Sequence, residues 1–482
     1  MFKKWLGYIA VSFAVLIGFS IVNTEQQVSA TTEPHYTIAT DTTFPPFEFQ
    51  GKNGKYVGID MDLLAAIAKK EHFTYKLTPM SFNSATQSVL SGQIDGVIAG
   101  MTITDEREAV FDFSKSYYKT GIIMAVNKAS KIKKLTDLKG KTVALKTGTG
   151  SAEYARGIQK KYGFKVTYFN DSNTMYNDVK VGNSDATFED MPVMQYAIKN
   201  GVALKIVTKP TLAGYYGFAV KKGQNKALLQ AFNSGLAKIK ADGTYQKIVN
   251  KYLDASASKF SGSKADNTTF WGLIKSNKTQ FINGLVKTIQ LTIISILLAS
   301  IWGIILGLLG VSPYKWLQGL STTIIYIFRG LPLMVLAFFI YIGLPNLTGD
   351  KIPAFVAGIV TLVLNEGAYI GAFVRGGIEA VDKGQMEAAR SLGLPYGRAM
   401  SKVIMPQGVK IMIPSFINQF IITLKDTSIL SAIGIIELTQ TGTVIISRNM
   451  QGFKVWLIVA IIYLVVITLL TWLSNWVKTK MK

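Results

Sequence analysis

Two glycine-rich segments could bind phosphate, and each departs from the spacing that phosphate binding needs. Residues 140–142 (GKT) match the end of a P-loop, but Leu135 stands where that motif requires a glycine. Residues 148–150 (GTG) begin like a dinucleotide fingerprint, but Glu153 occupies the third glycine position. We therefore expect no nucleotide cofactor on this chain, and any ATP and Mg²⁺ would belong to a partner protein.

Metal and covalent chemistry also lack the residues they need. The chain has no cysteine, which excludes disulfides, thiolate metal sites and a cysteine nucleophile, and His35 and His72 form no cluster. Asp60 and Asp62 could suggest a metal site. However, they directly precede the apolar positions 63, 64 and 67, where a helix start and its dipole explain them better. We predict no metal site and no catalytic residue.

Composition places part of the chain in lipid. The 482 residues exceed one ordinary domain, and 49% are hydrophobic while only 17% are charged. The net charge of +23 comes without a block of basic residues interleaved with aromatic ones. An anionic membrane surface is therefore a better partner than nucleic acid.

The N-terminus has the pattern of an export signal. Lys3 and Lys4 precede an apolar run at 5–22, and small residues follow at 28–30. This predicts a signal peptide over residues 1–30. An uncleaved anchor stays open as the alternative, because the run is almost long enough to span a membrane.

The next part of the chain has the pattern of an α/β domain. Strand-like segments at 36–39, 96–99 and 141–145 alternate with helical patterns at 61–70 and 227–240, which predicts a parallel sheet within a domain over residues 31–255. Residues 256–270 are rich in Ser, Ala and Lys without an apolar period, which predicts a flexible linker.

The second half, residues 271–482, has the pattern of an all-α transmembrane domain. Apolar runs of spanning length predict about five spans, at 281–309, 320–343, 353–374, 410–424 and 455–476. The Gly-interrupted segment 427–446 predicts a re-entrant or broken helix. Basic residues in the loop 379–407 and in the C-terminal tail place both in the cytoplasm, so the 31–255 domain would be extracellular.

Four segments of the first domain resemble, in order, the glutamine-binding protein family of bacterial polar amino acid receptors. They are ATDTTFPPFEF (39–49), AGMTITDER (99–107), LKTGTGSAEYA (145–155) and DATFEDMP (185–192). The resemblance implies a two-lobed periplasmic-binding-protein-like fold that closes over its ligand about two crossing segments, near 117–121 and 214–218. Lobe 1 would comprise about 36–116 and 219–253, and lobe 2 about 122–213.

The resemblance also implies which residues bind a free amino acid. The ten candidates are Asp41, Phe44, Phe82, Gly100, Thr102, Arg107, Lys146, Thr149, Gly150 and Asp190. Arg107, Thr102 and the Gly150 N–H would hold the carboxylate. Asp190 and the Gly100 backbone would hold the ammonium, and the two aromatic rings would cover the aliphatic stem. Without the resemblance, Arg107 would more often form a surface ion pair, and the phenylalanines would belong to the core.

The remaining pair, Asp41 and Lys146, bears on the substrate. Only a side-chain amide offers a donor to one and an acceptor to the other, which favours glutamine. The glutamine-binding protein has a histidine where this chain has Glu189. This added carboxylate could instead favour asparagine or a basic amino acid, and glutamate also stays open as an alternative.

The membrane half contains the spacing of a coupling loop. Glu387-Ala388-Ala389, Gly393 and the segment 403–406 resemble the EAA loop of ABC importer permeases, which docks on an ATP-binding subunit. Asn365 and Glu366 lie inside a predicted span, where polar groups suggest either a substrate pathway or packing.

Together these features predict a fused receptor and permease of an ABC importer, without enzymatic activity of its own. One permease half cannot enclose a pathway, so we expect a homodimer with two ATPase subunits. A ligand-gated channel or sensor stays as the rival. A fused receptor suits a cell membrane in a bacterium without an outer membrane.

Overall fold

A computed structural model describes residues 33–51, 54–253, 269–449 and 451–481. The predicted signal peptide and all but the last two residues of the predicted linker lie outside these described residues.

The α/β part consists of two lobes, each built on its own sheet. Its strands are β1 (His35–Asp41), β2 (Thr43–Phe44), β3 (Glu48–Gln50), β4 (Tyr56–Val57), β5 (Thr74–Met80), β6 (Gly96–Val97), β7 (Phe111–Phe113), β8 (Tyr118–Asn127), β9 (Thr142–Lys146), β10 (Lys165–Phe169), β11 (Ala186–Asp190), β12 (Leu204–Ile206), β13 (Thr211–Tyr216) and β14 (Ala219–Lys221). Its helices are α1 (Ile59–Glu71), α2 (Phe82–Leu90), α3 (Asp105–Glu108), α4 (Gly150–Tyr162), α5 (Ser172–Val181), α6 (Met191–Lys199), α7 (Lys226–Ala241) and α8 (Thr244–Leu253).

Helix α1 shows how the pattern produces these elements. Leu63, Leu64 and Ile67 recur on one face and are fully buried in the core of the first lobe. Acidic residues occupy the first turn and lysines the last, as the helix dipole favours, and His72 ends the helix in the left-handed conformation. The helix predicted at 61–70 is thus confirmed, with two further residues at its start and one at its end.

The two large sheets contain the predicted parallel strands, and both also include antiparallel strands. The first has the order β5-β1-β6-β14-β7, and the second has the order β10-β9-β11-β8-β12, with β13 also paired to β8. β1 runs parallel to β5 and β6, whereas β14 runs antiparallel to β6 and β7. In the second sheet, β8 runs antiparallel to β11, β12 and β13.

Two adjacent segments carry the chain between the lobes. β8 and β13 pair antiparallel, with Tyr118 opposite Tyr216 and Thr120 opposite Gly214. These residues lie within the two predicted crossing segments. The ends of two strands thus form a paired ribbon between the two sheets, as a hinge requires.

The second half is helical. Its helices are α9 (Phe270–Gly310), α10 (Lys315–Gly330), α11 (Leu333–Phe338), α12 (Leu344–Thr348), α13 (Ala354–Glu379), α14 (Lys383–Ser391), α15 (Tyr396–Ala399), α16 (Met405–Asp426), α17 (Leu438–Asn449) and α18 (Gly452–Met481). By length and composition, three helices of the described residues can cross a membrane, or up to five if each of two bent pairs is one span.

The predicted span at 320–343 falls in a bent pair of helices. α10 ends at Gly330 and α11 begins at Leu333, and the two parts are bent by 100°. Pro332 lies at the break, where it lacks an N–H and restricts the residue before it. The segment 427–446 is broken as expected, because a 3₁₀ turn over Thr427–Ile433 ends at Gly434 before α17 begins.

Small residues bring α9 and α13 together. A side chain at Gly303 or Gly307 would collide with α13, where the Gly367 and Gly371 carbonyl oxygens would lie 2.7 and 3.0 Å from the added carbon. Carbons added at Gly367 and Gly371 would in turn lie 2.5 Å from Trp302 and 3.0 Å from Leu306 of α9. Two facing small-xxx-small patterns therefore allow these helices to pack backbone to backbone.

The first lobe contacts the helical domain directly. Lys351 forms an ion pair of 2.7 Å with Asp95, and the Gln93 side chain hydrogen-bonds both backbone groups of Ile352. The Ser84 hydroxyl donates to the Ala432 carbonyl at 2.6 Å. In the second lobe, the Asn177 amide lies against Gly452.

Candidate functional site

One small cavity lies between the two lobes. Its lining consists of Asp41, Phe44, Phe82, Ala99, Gly100, Thr102, Arg107, Lys146, Thr149, Gly150 and Asp190. The structure thus brings together all ten residues that the sequence predicted, and adds Ala99. Ala99 belongs to the segment 99–107 and directly precedes Gly100, so its place in the lining could have been predicted from that of Gly100.

Strand ends explain why these residues meet. Asp41 ends β1, Lys146 ends β9 and Asp190 ends β11. Within each sheet the parallel strands present their carboxyl ends at the same edge, and the two edges face each other across the cavity. The first turn of α4 adds Gly150 from the second lobe.

Arg107 is buried, not solvated. Its guanidinium donates to the Thr102 carbonyl and the Gly148 carbonyl, both at 2.7 Å, and lies 5.5 Å from the centre of the Phe82 ring. Glu153 approaches to 3.6 Å. Because Gly148 belongs to the second lobe, this arginine links the two lobes beside the cavity, where a carboxylate could bind to its remaining donors.

Lys146 and Asp41 form an ion pair across the cavity, and each side chain is only 2% exposed. The Asp41 carboxylate also accepts the Thr42 and Thr43 N–H groups, and the ammonium lies 5.3 Å from the centre of the Phe44 ring. Burial lowers the pKa of Lys146, but the charge and hydrogen bond of Asp41, together with the charges of Glu189 and Glu48, outweigh it and leave that pKa above its ordinary value. Lys146 therefore stays charged at neutral pH.

Asp190 faces the cavity with a strongly shifted pKa. Burial, together with the neighbouring Glu189 carboxylate, raises the pKa of Asp190 to about 7. The Tyr216 hydroxyl donates to its Oδ2 at 2.5 Å. Glu189 does not line the cavity, because its carboxylate accepts the Tyr176 hydroxyl at 2.7 Å and the Asp190 N–H at 3.0 Å.

Backbone geometry shapes the rest of the lining. Gly100 has a φ of +52°, and a side chain there would collide with the Phe44 ring. The Thr149 hydroxyl caps α4 by accepting the Ala152 N–H at 3.2 Å. A carbon added at Gly150 would lie 3.2 Å from the Thr102 hydroxyl, so the two lobes approach closely here.

Both phenylalanines serve the core and the cavity. Phe44 and Phe82 are each 5% exposed and belong to the apolar clusters of the first lobe while also lining the cavity. The two interpretations of these phenylalanines, as core residues and as residues that cover a ligand, are therefore compatible.

Sequence reasoning missed a polar layer behind the cavity. Asp60 does begin α1, but its carboxylate is also fully buried and accepts the Gly100 N–H at 2.8 Å and the Tyr117 hydroxyl at 2.7 Å. The helix-dipole explanation was thus incomplete. Glu48 lies beside it, fully buried. Glu48 belongs to the segment 39–49, but no pattern in the neighbouring residues predicts that it lies near Asp60.

The predicted coupling loop forms a short helix and a turn. Glu387 and Ala388 are exposed on α14, whereas Ala389 is buried. Gly393 has a φ of +83°, and its N–H and that of Leu394 donate to the Arg390 and Ala389 carbonyls. This is a Schellman motif, which needs glycine at that position. Leu392 beside it is 85% exposed.

The predicted membrane residues are both buried on α13. Asn365 donates to the Phe328 carbonyl at 2.9 Å, and Glu366 accepts a hydrogen bond from Gln419. Their geometry fits packing between helices as well as a pathway. Among the residues with described coordinates, no group of three or more His, Cys, Asp or Glu could hold a metal ion.

Comparison with known families divides the chain in the same two parts. Residues 36–255 match the family of bacterial extracellular solute-binding proteins, family 3. Residues 299–482 match the family described as binding-protein-dependent transport system inner membrane component.

Individual relatives match one half each. The arginine transport system permease protein ArtQ of Bacillus subtilis is 34% identical over 204 residues, which are 42% of this chain and 92% of that protein. The probable glutamine ABC transporter permease protein GlnM of B. subtilis is 35% identical over 193 residues, 40% of this chain and 89% of that protein. The ABC transporter arginine-binding protein 1 of Escherichia coli is 36% identical over 216 residues, 44% of this chain and 87% of that protein.

Proposed function

The chain belongs to the amino acid ABC importers, with a binding domain and a permease domain in one polypeptide, and on this premise we propose that its principal substrate is glutamine. It is a multi-pass membrane transport component, not an enzyme. In this proposal the first domain captures the amino acid outside the cell and delivers it to the helical domain, and ATP hydrolysis takes place on a separate subunit.

The balance of charges in the cavity carries the substrate proposal. When a bound ammonium keeps Asp190 ionised, Asp41 and Asp190 oppose Arg107 and Lys146, so the charged lining residues sum to zero. A zwitterion with a neutral side chain preserves this balance. A basic or acidic side chain would bring an uncompensated charge into a buried site.

The ion pair across the cavity supports an amide over other neutral groups. A glutamine side chain could donate its NH₂ to Asp41 and accept from Lys146 through its carbonyl oxygen. The ligand carboxylate would take the remaining donors of Arg107 and the first turn of α4, where a helix N-terminus favours anions. Its ammonium would bind to Asp190.

The relatives bear on the alternatives. Their names include arginine as well as glutamine. Glu189 was the residue that favoured a basic ligand, but its carboxylate is engaged by Tyr176 and the Asp190 N–H. Both contacts support a structural role for Glu189 and weaken the case for arginine. Asparagine and glutamate remain the other candidates to test.

Calorimetric titration of the full chain in lipid nanodiscs tests the substrate. Glutamine should bind more tightly than asparagine, glutamate, arginine or histidine. K146M should weaken glutamine binding by about tenfold or more, because it removes a charged donor. K141M, at an exposed lysine before the same strand, should leave it unchanged. Tighter binding of arginine than of glutamine would contradict the proposal.

We further propose that two copies of the chain assemble with two ATPase subunits. The exposed Glu387 and Ala388 on α14 and the exposed Leu392 offer the surface for the ATPase. Basic residues of the 379–407 loop favour its cytoplasmic placement. Cross-linking in membranes should trap a dimer of this chain, and monomers alone in transport-active vesicles would exclude it.

A ligand-gated channel or sensor with the same binding domain is the rival function. Reconstitution with the ATPase separates the two functions. An importer should show glutamine-stimulated ATP hydrolysis and accumulation of glutamine on the opposite side. A persistent glutamine-gated current without ATP would favour the channel.

A further inference from the structure

A pair of buried acids lies behind the candidate binding site. Glu48 in β3 and Asp60 in the first turn of α1 are both fully buried. The Asp60 N–H donates to the carbonyl of Phe47, the neighbour of Glu48, at 3.0 Å, and each of the two carboxyl groups influences the pKa of the other. Glu48 is also the β-ladder partner of Phe44, which lines the cavity. The pair is thus attached to the binding site, yet neither acid lines the cavity.

The contacts of the two acids differ. Within the described part of the chain, neither Glu48 oxygen nor Asp60 Oδ1 has any conventional donor. Asp60 Oδ2, in contrast, accepts both the Gly100 N–H and the Tyr117 hydroxyl. Two carboxylates in contact cannot both be ionised in a buried site, so one proton must lie between them. The two donors stabilise the anion at Asp60, which leaves the proton on Glu48.

We propose that Glu48 and Asp60 share one proton and act as a positioning pair, in which protonated Glu48 holds the Asp60 carboxylate against Gly100 and Tyr117. This inference rests on the proposed function, since it assigns the pair to ligand binding. Asp60 fixes the N–H of the Ala99–Gly100 peptide, and the carbonyl of Gly100, in the next peptide, is the group proposed to accept from the ligand ammonium. Neither acid touches the ligand itself.

The pair also reaches the hinge. The Tyr117 hydroxyl donates to Asp60, and the Tyr117 N–H donates to the Tyr216 carbonyl at 2.9 Å. The Tyr216 hydroxyl in turn donates to Asp190 of the second lobe. A series of hydrogen bonds and backbone pairing thus connects the acid pair to both ligand-binding lobes.

The surroundings agree with this proton distribution. Burial and the nearby carboxylates of Asp60 and Asp41 raise the pKa of Glu48 well above its ordinary value, with Lys146 as the one opposing charge. Burial raises the pKa of Asp60 to about 6, against the lowering effect of its Gly100 and Tyr117 hydrogen bonds. Both shifts favour the proposed distribution, with the proton on Glu48 and the negative charge on Asp60.

Substitutions of Glu48 test the proton that it donates. The full chain in lipid nanodiscs is titrated with glutamine and, separately, with arginine. In E48Q the amide NH₂ replaces the acid proton, and ligand affinity should stay within about threefold of the parent. E48L leaves Asp60 Oδ1 buried without a donor and should lower affinity about tenfold or more.

Two further variants complete the comparison. D60N removes the anionic acceptor from Gly100 and Tyr117 and should also lower affinity about tenfold or more. E71Q, at the other end of α1, is the matched control and should not change affinity. Thermal unfolding of each variant identifies any that fail to fold. Equal affinities for folded E48Q and E48L would overturn the proposal.

Infrared spectroscopy tests the proton without any ligand. At pH 7 the parent protein should show a carbonyl stretch of a protonated carboxylic acid that is lost in E48Q and kept in E71Q. If E48Q loses no such band, the shared proton is excluded. Should the parent bind neither glutamine nor arginine, the proposed function fails, and the infrared result still decides the state of the pair.

Discussion

Each charged side chain at the cavity is held by a group on the facing lobe or on a crossing strand. Lys146 pairs with Asp41, Arg107 donates to the Gly148 carbonyl, and Asp190 accepts the Tyr216 hydroxyl. A ligand must therefore exchange protein contacts for its own, since buried charges cannot be left without partners. The site should therefore select ligands that form a new contact for each protein contact they displace.

Asp190 predicts the pH dependence of binding. In the ligand-free protein the pKa of Asp190 is about 7, and a bound ammonium would stabilise its ionised form. Affinity should therefore be full above pH 7 and fall as pH drops below it, approaching tenfold per pH unit. Calorimetry between pH 8 and pH 5, in buffers of different ionisation enthalpy, should also detect uptake of protons on ligand release.

The variant D190N separates this effect from unfolding of the protein at low pH. Its affinity should be weak at every pH, with a flatter profile than that of the parent. A parent affinity that is constant from pH 8 to pH 5 would contradict the assignment of the ammonium to Asp190.

At the scale of elements, the coupling loop depends on how α14 ends. The Schellman motif at Gly393 orients α15 relative to α14 and leaves Leu392 exposed at the turn. Only glycine adopts this left-handed conformation without strain. The loop can thus offer a defined surface although most of its side chains face solvent.

Substitution of Gly393 tests that surface. G393A should strain the turn and reduce glutamine-stimulated ATP hydrolysis several-fold, because the cost of a left-handed alanine is about 1 kcal/mol. Glutamine binding should be unchanged. G397A is the matched control, since Gly397 lies in the same loop without a positive φ and with open space around it. Equal losses in both variants would show that the turn geometry is not what matters.

At the scale of the whole molecule, the binding domain contacts the helical domain mostly through the first lobe. Asp95 pairs with Lys351, and the Gln93 side chain joins both backbone groups of Ile352. Burial raises the pKa of Asp95, but the hydrogen bonds from Lys351 and Thr37 outweigh it and leave that pKa below its ordinary value. The ion pair is therefore present at neutral pH.

The variant K351A tests this contact. The ion pair is partly exposed, so its loss should reduce glutamine-stimulated ATP hydrolysis by about two- to fivefold at physiological salt. The difference from the parent should shrink in high salt, where such pairs are screened. K222A, which removes a lysine paired with Asp112 elsewhere on the first lobe, should have no effect. An equal effect of both variants would exclude a specific docking role for Lys351.

The sequence by itself determined the two domain types and the helices at 61–70 and 227–240, and its resemblance to a known receptor family indicated ten of the residues that line the cavity. These are local properties, because apolar periodicity and short motifs depend on neighbouring residues. The donor and acceptor groups that are available to a ligand also follow from the residue types, which can be read from the sequence.

Only the tertiary structure decided which residues meet over long separations. The contact of Lys146 with Asp41, the meeting of Glu48 with Asp60 and the backbone packing of α9 on α13 depend on how sheets and helices fold together. The mixed strand directions and the break at Pro332 were decided there too. Burial, and with it the pKa of Asp190, arises from the whole packed chain, so no short segment could predict it.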